Sequence, residues 1–234
     1  MSTRLHLVRH GAGPAIVFVH GLGSSTSTWD ACIAALSATP VALLGGPREL
    51  VAVDLLGHGH SPVPDNPASY TRDAALADLD AVLATTSDPG RVVLVGHSLG
   101  GYLALAHVAT RPGAVGGIVV LNTGPGFRDP VKREEWNERS RRNAHRFGVP
   151  EQVTGLNLQH DAVVMEQLAE IATPTLVLAG SADRPEYTAS GQYLERKMAS
   201  VRFVAIDGGE HSMQESHAAE VSALIAEFVR GLSH

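Results

Sequence analysis

The chain has 234 residues, 44% hydrophobic and 18% charged, which suits one domain with a sizeable core and excludes a disordered polar segment. A formal charge of −6 gives no general attraction to nucleic acid or an anionic membrane, and a single cysteine, Cys32, excludes an intramolecular disulfide. Residues 1–10 lack the apolar core of a signal peptide, and Gly, His or charge interrupts every apolar run before it reaches membrane-spanning length.

In chain order, residues 5–8 can add an edge strand, and near-continuous apolar runs follow at 15–19, 50–53, 91–95, 115–121, 174–179 and 201–206. Such runs predict strands buried on both faces, as in a parallel sheet. Helical spacing lies between them at 28–36, 72–84, 99–110, 189–198 and 217–229. The alternation predicts an α/β fold, a three-layer α/β/α sandwich around a mostly parallel sheet. Residues 124–168 break it: they open on Gly124, Pro125 and Gly126, and between Arg128 and Arg146 hold seven basic and four acidic residues. A short helical cap inserted over one end of the sheet is expected there, with the core formed by residues 1–123 and 169–234. The long Gly/Pro-bearing connection at 39–47 has no functional account from sequence.

Gly96-His97-Ser98-Leu99-Gly100 falls where a predicted strand meets a predicted helix. Attack on a carbonyl needs a hydroxyl held clear of the backbone, and a sharp strand-to-helix turn flanked by small residues provides it. The pentapeptide alone arises by chance in roughly one such sequence in six, so its setting, more than its letters, nominates Ser98 as a nucleophile. A serine needs a base, and the base an orienting acid. His211 stands in a Gly-rich loop after 201–206, and Asp183 in a Gly-containing turn after 174–179, on the same strand-end edge as Ser98. Asp183 is the preferred acid, with Asp129, after the preceding strand, as its competitor. Asp207 and Glu210 read as turn formers, and His160, His217 and His234 as surface or capping groups. The N–H groups of Leu99, at the helix start, and Leu22, in His20-Gly21-Leu22-Gly23, are the candidate donors to a developing oxyanion.

Taken together these segments resemble the α/β-hydrolase superfamily, and its esterase- and lipase-like serine hydrolases with a short cap. His20 to Gly23 is similar to the family's oxyanion-loop motif. Asp54-Leu55-Leu56-Gly57-His58-Gly59-His60-Ser61 is similar to its D-x-x-G-x-G-x-S segment, and Gly96 to Gly101 to its nucleophile elbow. The resemblance runs from about residue 11 to 229. It implies cleavage of a carboxylic ester or thioester through an acyl-enzyme; no cofactor is expected, and no metal, because the histidines show no ligand spacing such as H-E-x-x-H. Ser98 separates the chain from relatives with an aspartate nucleophile, the haloalkane dehalogenases and epoxide hydrolases. Three departures stand out. There is room for one strand before His20 where the family often has two, implying a reduced sheet of about seven strands. Glu210 precedes His211 where a small residue is usual, and the cap is too divergent for pocket residues to be carried over.

The residues nominate Trp29, Phe127, Trp136, Arg139, Arg142 and Met213 as pocket lining. The two arginines suit an anionic substrate, although a solvated amphipathic helix accounts for the same charges. Competing readings are an acyltransferase, carbon–carbon hydrolase or lyase on the same fold, and a non-catalytic binding protein. A further competitor is a histidine phosphatase using His10 with Arg9, from Leu7-Val8-Arg9-His10-Gly11. The expected protein is cytoplasmic, a monomer or homodimer, with a small-molecule substrate and no nucleic-acid or membrane partner.

Overall fold

A computed structural model describes residues 3–232, so His234 lies outside the described residues. The strands are β1 (Leu7–Gly11), β2 (Ala15–Val19), β3 (Glu49–Val53), β4 (Val93–His97), β5 (Gly117–Leu121), β6 (Thr175–Gly180) and β7 (Val201–Ile206). They form one sheet in the order β1-β3-β2-β4-β5-β6-β7. β1 runs antiparallel to β3, and all other neighbours are parallel. Two strands therefore precede His20: the edge strand offered near 5–8 forms at Leu7–Gly11, paired with β3, so the sheet reaches seven strands.

The first four helices are α1 (Asp30–Ala38), α2 (Arg72–Leu83), α3 (Leu99–Thr110) and α4 (Pro130–Arg142). The last four are α5 (Val163–Gln167), α6 (Pro185–Lys197), α7 (Met213–Ser216) and α8 (Ala218–Gly231). Successive strand side chains point to opposite faces. Val17, Val19 and Leu94 thus meet Leu79 of α2, Leu103 of α3 and Leu194 of α6 in one core. Ile16, Phe18, Val93 and Val95 meet Ile33 of α1 and Val221 and Ile225 of α8 in the other. A strand between two helical layers has no wet face, and β2, β4, β5 and β6 are accordingly buried along their whole length and mostly apolar. β7 departs from that expectation. It is the outer edge, with Arg202 and Ala205 exposed and only Ile206 buried, because no further strand covers it.

Between β5 and β6 the chain leaves the sheet for α4, three 3₁₀ turns and α5. This excursion is tied to itself and to the core. Trp136 Nε1 donates to the Asn157 carbonyl at 2.9 Å, while Asn137 and Gln159 exchange two hydrogen bonds at 2.8 and 2.9 Å. Arg72, at the start of α2, forks onto Asp161 at 2.6 and 2.9 Å. Residues 39–47 contain the 3₁₀ turn Val41–Leu44, which inserts Leu44 into the core shared with α8. Among the described residues no helix is long and apolar enough to cross a membrane.

Strand order reverses around β2: the chain passes from β2 to β3 on one side, then to β4 on the other. In such sheets the crevice at the carboxyl ends of the diverging strands is where ligands bind. Leu94 lies at the centre of this arrangement with no exposed surface. Leu94→Ala should lower stability by about 2–5 kcal/mol, read as a reduced urea midpoint at unchanged m-value.

Candidate active site

Ser98 sits at φ 51°, ψ −112°, between β4 and α3. A non-glycine residue there is strained by about 1–3 kcal/mol, and surrounding packing must hold it. The neighbouring glycines permit that packing. A Cβ on Gly96 would lie 2.2 Å from the Gly100 carbonyl oxygen, and one on Gly100 would lie 2.2 Å from that of Val19. The start of α3 therefore presses directly onto the end of β2. Ser98 N donates to the Leu121 carbonyl at 2.8 Å, extending the sheet by one bond. The side chain is left half-buried at the crevice, with the unpaired first N–H groups of α3 beside it.

The loop after β2 is held against Ser98 by neutral histidines. A Cβ on Gly21 would lie 3.3 Å from the Ser98 Cβ, so this backbone is in contact with the serine. His20 donates from Nδ1 to the Gly21 carbonyl (2.7 Å) and accepts the Leu55 N–H at Nε2 (3.0 Å). His58 donates from Nδ1 to the Leu56 carbonyl (3.1 Å) and accepts the Gly23 N–H at Nε2 (3.0 Å). Each ring is thereby locked in one tautomer, and the two rings pack 4.9 Å apart. Burial, with His58 beside it, pushes His20 down to about 4, and burial likewise lowers His58.

Asp54 anchors the same loops from below. Its fully buried carboxylate accepts N–H bonds from Thr26 (2.6 Å) and His60 (2.8 Å), and lies 3.0 Å from the His6 ring. Burial opposes its charge, but these donors outweigh burial and hold its pKa below the usual carboxylate value. Gly59, at φ 51°, is required because a Cβ would strike the Asp54 carboxylate at 2.2 Å. The Asp54-to-Ser61 segment is thus a brace for the neighbouring loops.

On the other side of Ser98, His211 Nδ1 lies 2.7 Å from Asp183 Oδ2, and Asp183 Oδ1 accepts the Arg184 N–H at 2.7 Å. An ionised carboxylate only accepts, so the imidazole proton belongs on Nδ1 and Nε2 keeps its lone pair. The acid side chain is 8% exposed and the imidazole 41%, so the pair opens on the ring side. Asp129 stands elsewhere, accepting the Val131 N–H at 2.9 Å as the N-cap of α4.

Three further residues meet at His211 that sequence reasoning missed. The Tyr187 ring packs 5.1 Å from the His211 ring, and burial followed by the Asp183 charge raises its hydroxyl pKa. His97 Nε2 donates to the His211 carbonyl at 2.8 Å, and its ring stands edge-on to the His211 ring. Asn122, fully buried at φ 45°, donates from Nδ2 to the Glu210 and His211 carbonyls and accepts the Gly180 N–H. No local pattern marks Tyr187 or Asn122; their roles exist only through tertiary contacts. His97 lies inside the serine motif, at the position that tolerates any residue.

The expected pocket residues divide. Phe127, Trp136 and Arg139 cluster, with the aromatic rings 5.9 Å apart and the guanidinium 4.9 Å above Trp136. Arg142 instead pairs with Glu138 at 3.5 Å and is 68% exposed, its guanidinium held in solvent along its own helix. Trp29 and Met213 are wholly buried: Trp29 packs on Phe18, and both belong to the core beneath α1 and α8. They line no pocket, because core residues cover both side chains completely. Leu22 is half-buried and Leu99 is 3% exposed. Arg9 is occupied by Glu49 and Thr85, and His10 lies exposed on the edge strand β1, with β3 and β2 between it and β4. Cys32 is buried, its thiol pushed up to about 11 by burial. Among the described residues no group of three or more His, Cys, Asp or Glu side chains could hold a metal ion.

A seven-stranded, mostly parallel sheet with a strained serine at its switch point defines the α/β-hydrolase class. The alpha/beta hydrolase family model matches residues 16–224, and the chain belongs to that family. It is similar to the lipase LipV of Mycobacterium tuberculosis, with 38% identity over 124 residues covering 52% of this chain and 42% of LipV. The chain thus spans less than half the length of such curated relatives. Its fold is similar to that of a thermophilic esterase from Thermogutta terrifontis, with a TM-score of 0.81 and 23% identity, covering 98% of this chain and 94% of that one. MenH from S. aureus gives the same TM-score at 18% identity, covering 98% and 99%.

Burial, reinforced by the charge of His211, pushes His97 down to about 3. His20 and His97 are therefore neutral when folded but charge near 6.5 when unfolded, so the unfolded chain binds more protons as pH falls. Their contribution is complete above about pH 6.5 and declines toward pH 3–4, each with a limiting slope of about 1.4 kcal/mol per pH unit. Urea midpoints measured from pH 7.5 to 4 should fall steadily, and His97→Gln should flatten that fall.

Proposed function

We propose that the chain is a serine hydrolase that cleaves a carboxylic ester or thioester of a small molecule through an acyl-enzyme. The observation that carries this reading is the 2.7 Å contact of His211 Nδ1 with Asp183, on the strand edge that presents Ser98. His211 Nε2 takes the Ser98 proton as Oγ attacks the carbonyl, across a hydrogen bond made when substrate binds. The backbone N–H groups of Leu99 and Leu22 receive the developing oxyanion, while Asp183 holds the tautomer and stabilises the imidazolium. His211 then protonates the leaving alcohol or thiol. Water, deprotonated by the same nitrogen, attacks the acyl-enzyme and frees the acid and Ser98. The excursion containing α4 acts as a cap, with Phe127 and Trp136 offering apolar contact and Arg139 a cation for an anionic group on the substrate.

Incubation with a fluorophosphonate probe should label Ser98 and no other serine, and a folded protein that stays unlabelled would overturn the reading. Ser98→Ala should lose on the order of 10⁶ in kcat and Asp183→Asn about 10⁴. Asp129→Ala should cost about 1 kcal/mol of stability through its helix cap and leave kcat in place. Labelling without turnover of p-nitrophenyl or thioester substrates would instead assign Ser98 to acyl transfer, carbon–carbon cleavage or a lyase step. Comparing anionic with neutral esters, Arg139→Gln should raise KM about tenfold for the anionic ones only, and Arg142→Gln should change neither.

A further inference from the structure

We propose that His97 and Asn122 are positioning residues that aim the His211 imidazole by clamping its backbone carbonyl. This rests on the hydrolase reading of Ser98 and adds two residues to its machinery. The loop that carries His211 begins Gly208-Gly209 and contains no strand, so its own backbone does little to fix where the ring points. The clamp supplies that constraint. A carbonyl oxygen has two lone pairs, and on His211 two side-chain donors approach it, His97 Nε2 at 2.8 Å and Asn122 Nδ2 at 2.8 Å. Asn122 also holds the preceding Glu210 carbonyl at 3.0 Å, and its Oδ1 accepts the Gly180 N–H at 2.9 Å. One buried amide therefore joins the base-bearing loop to the end of β6, three residues before Asp183.

Both clamp residues sit in unfavourable circumstances. Asn122 adopts φ 45°, where side chains are rarely found, and His97 keeps a buried Nδ1 without a hydrogen-bond partner. His97 occupies the residue next to Ser98, so a single peptide links the nucleophile to the support of its base. The ring of His211 is then held at one end by Asp183 and at the other through its backbone. Releasing the backbone end lets Nε2 drift from Ser98 while the Asp183 contact persists, and a displacement near 1 Å costs about a hundredfold in rate.

The test uses the full chain and four variants. His97→Leu removes one donor, Asn122→Gly removes the other while relieving the backbone strain, His97→Gln restores an N–H donor near the Nε2 position, and His211→Ala removes the base. With p-nitrophenyl butyrate, His97→Leu and Asn122→Gly should each lower kcat about a hundredfold with KM within twofold, and His97→Gln should recover most of the loss. In the His211→Ala background, adding His97→Leu should cost nothing further, because the clamp works through His211. The ¹H–¹⁵N spectrum of the imidazoles should show one sharp His211 Nδ1–H signal in the wild type, broadened or split in both clamp variants. An equal loss from His97→Leu with and without His211, or unchanged His211 resonances in whichever clamp variant folds, overturns the proposal. A wild type that neither turns over ester nor labels with fluorophosphonate, yet shows the spectral change, overturns the hydrolase reading and leaves the clamp standing.

Discussion

The close approach of α3 to the end of β2 is the constraint from which the rest of this site follows. Only a glycine at position 100 lets the helix backbone touch the Val19 carbonyl, and only a glycine at position 96 leaves room for Gly100. That contact forces the intervening residue into a left-handed conformation, so Ser98 stands out from the backbone at φ 51°. The strain is local and amounts to a few kcal/mol at most. Two apolar cores, packed against the sheet on either face, are large enough to hold it.

The loops around the serine carry little regular structure, so polar side chains take over the work of fixing them. His20 and His58 bridge backbone groups of the loops after β2 and β3, and Asp54 gathers three donors beneath them. On the opposite side, His97 and Asn122 perform the corresponding task for the loop bearing His211. Buried polar groups are costly unless satisfied, and most of these are satisfied with good geometry. The same burial that makes the histidines good braces keeps them neutral and couples the integrity of the site to pH.

The excursion between β5 and β6 is built by different means. Its α4 is strongly charged, and few of its residues are buried, so its position depends on specific ties: Trp136 to Asn157, Asn137 to Gln159, and Arg72 to Asp161. The exposed pairs along α4, such as Arg142 with Glu138, contribute little to stability, whereas Phe127, Trp136 and Arg139 pack against one another.

Much of the architecture was legible from the order of residues. Strands buried on both faces are near-continuously apolar, so β2, β4, β5 and β6 announce themselves, and the glycine spacing around Ser98 reports a backbone contact. The location of Asp183 and His211 beyond strand ends follows from the same alternation. β7 reads as a buried strand because its run is mostly apolar, but whether a strand is central or at an edge depends on neighbours that local sequence does not name. Trp29 and Met213 looked like pocket residues for a similar reason: an aromatic or thioether side chain carries no mark of which side of the sheet it faces. The choice between Asp183 and Asp129 as partner of His211 needed a distance, since both follow a strand and only the fold brings one of them to 2.7 Å. Periodicity and glycine placement act locally, so the order of residues specifies the central strands, the turn at Ser98 and the chemistry of the groups along one edge. Which of those groups meet is a matter of the folded chain, because contacts such as Asn122 with His211 join residues whose proximity no local preference encodes.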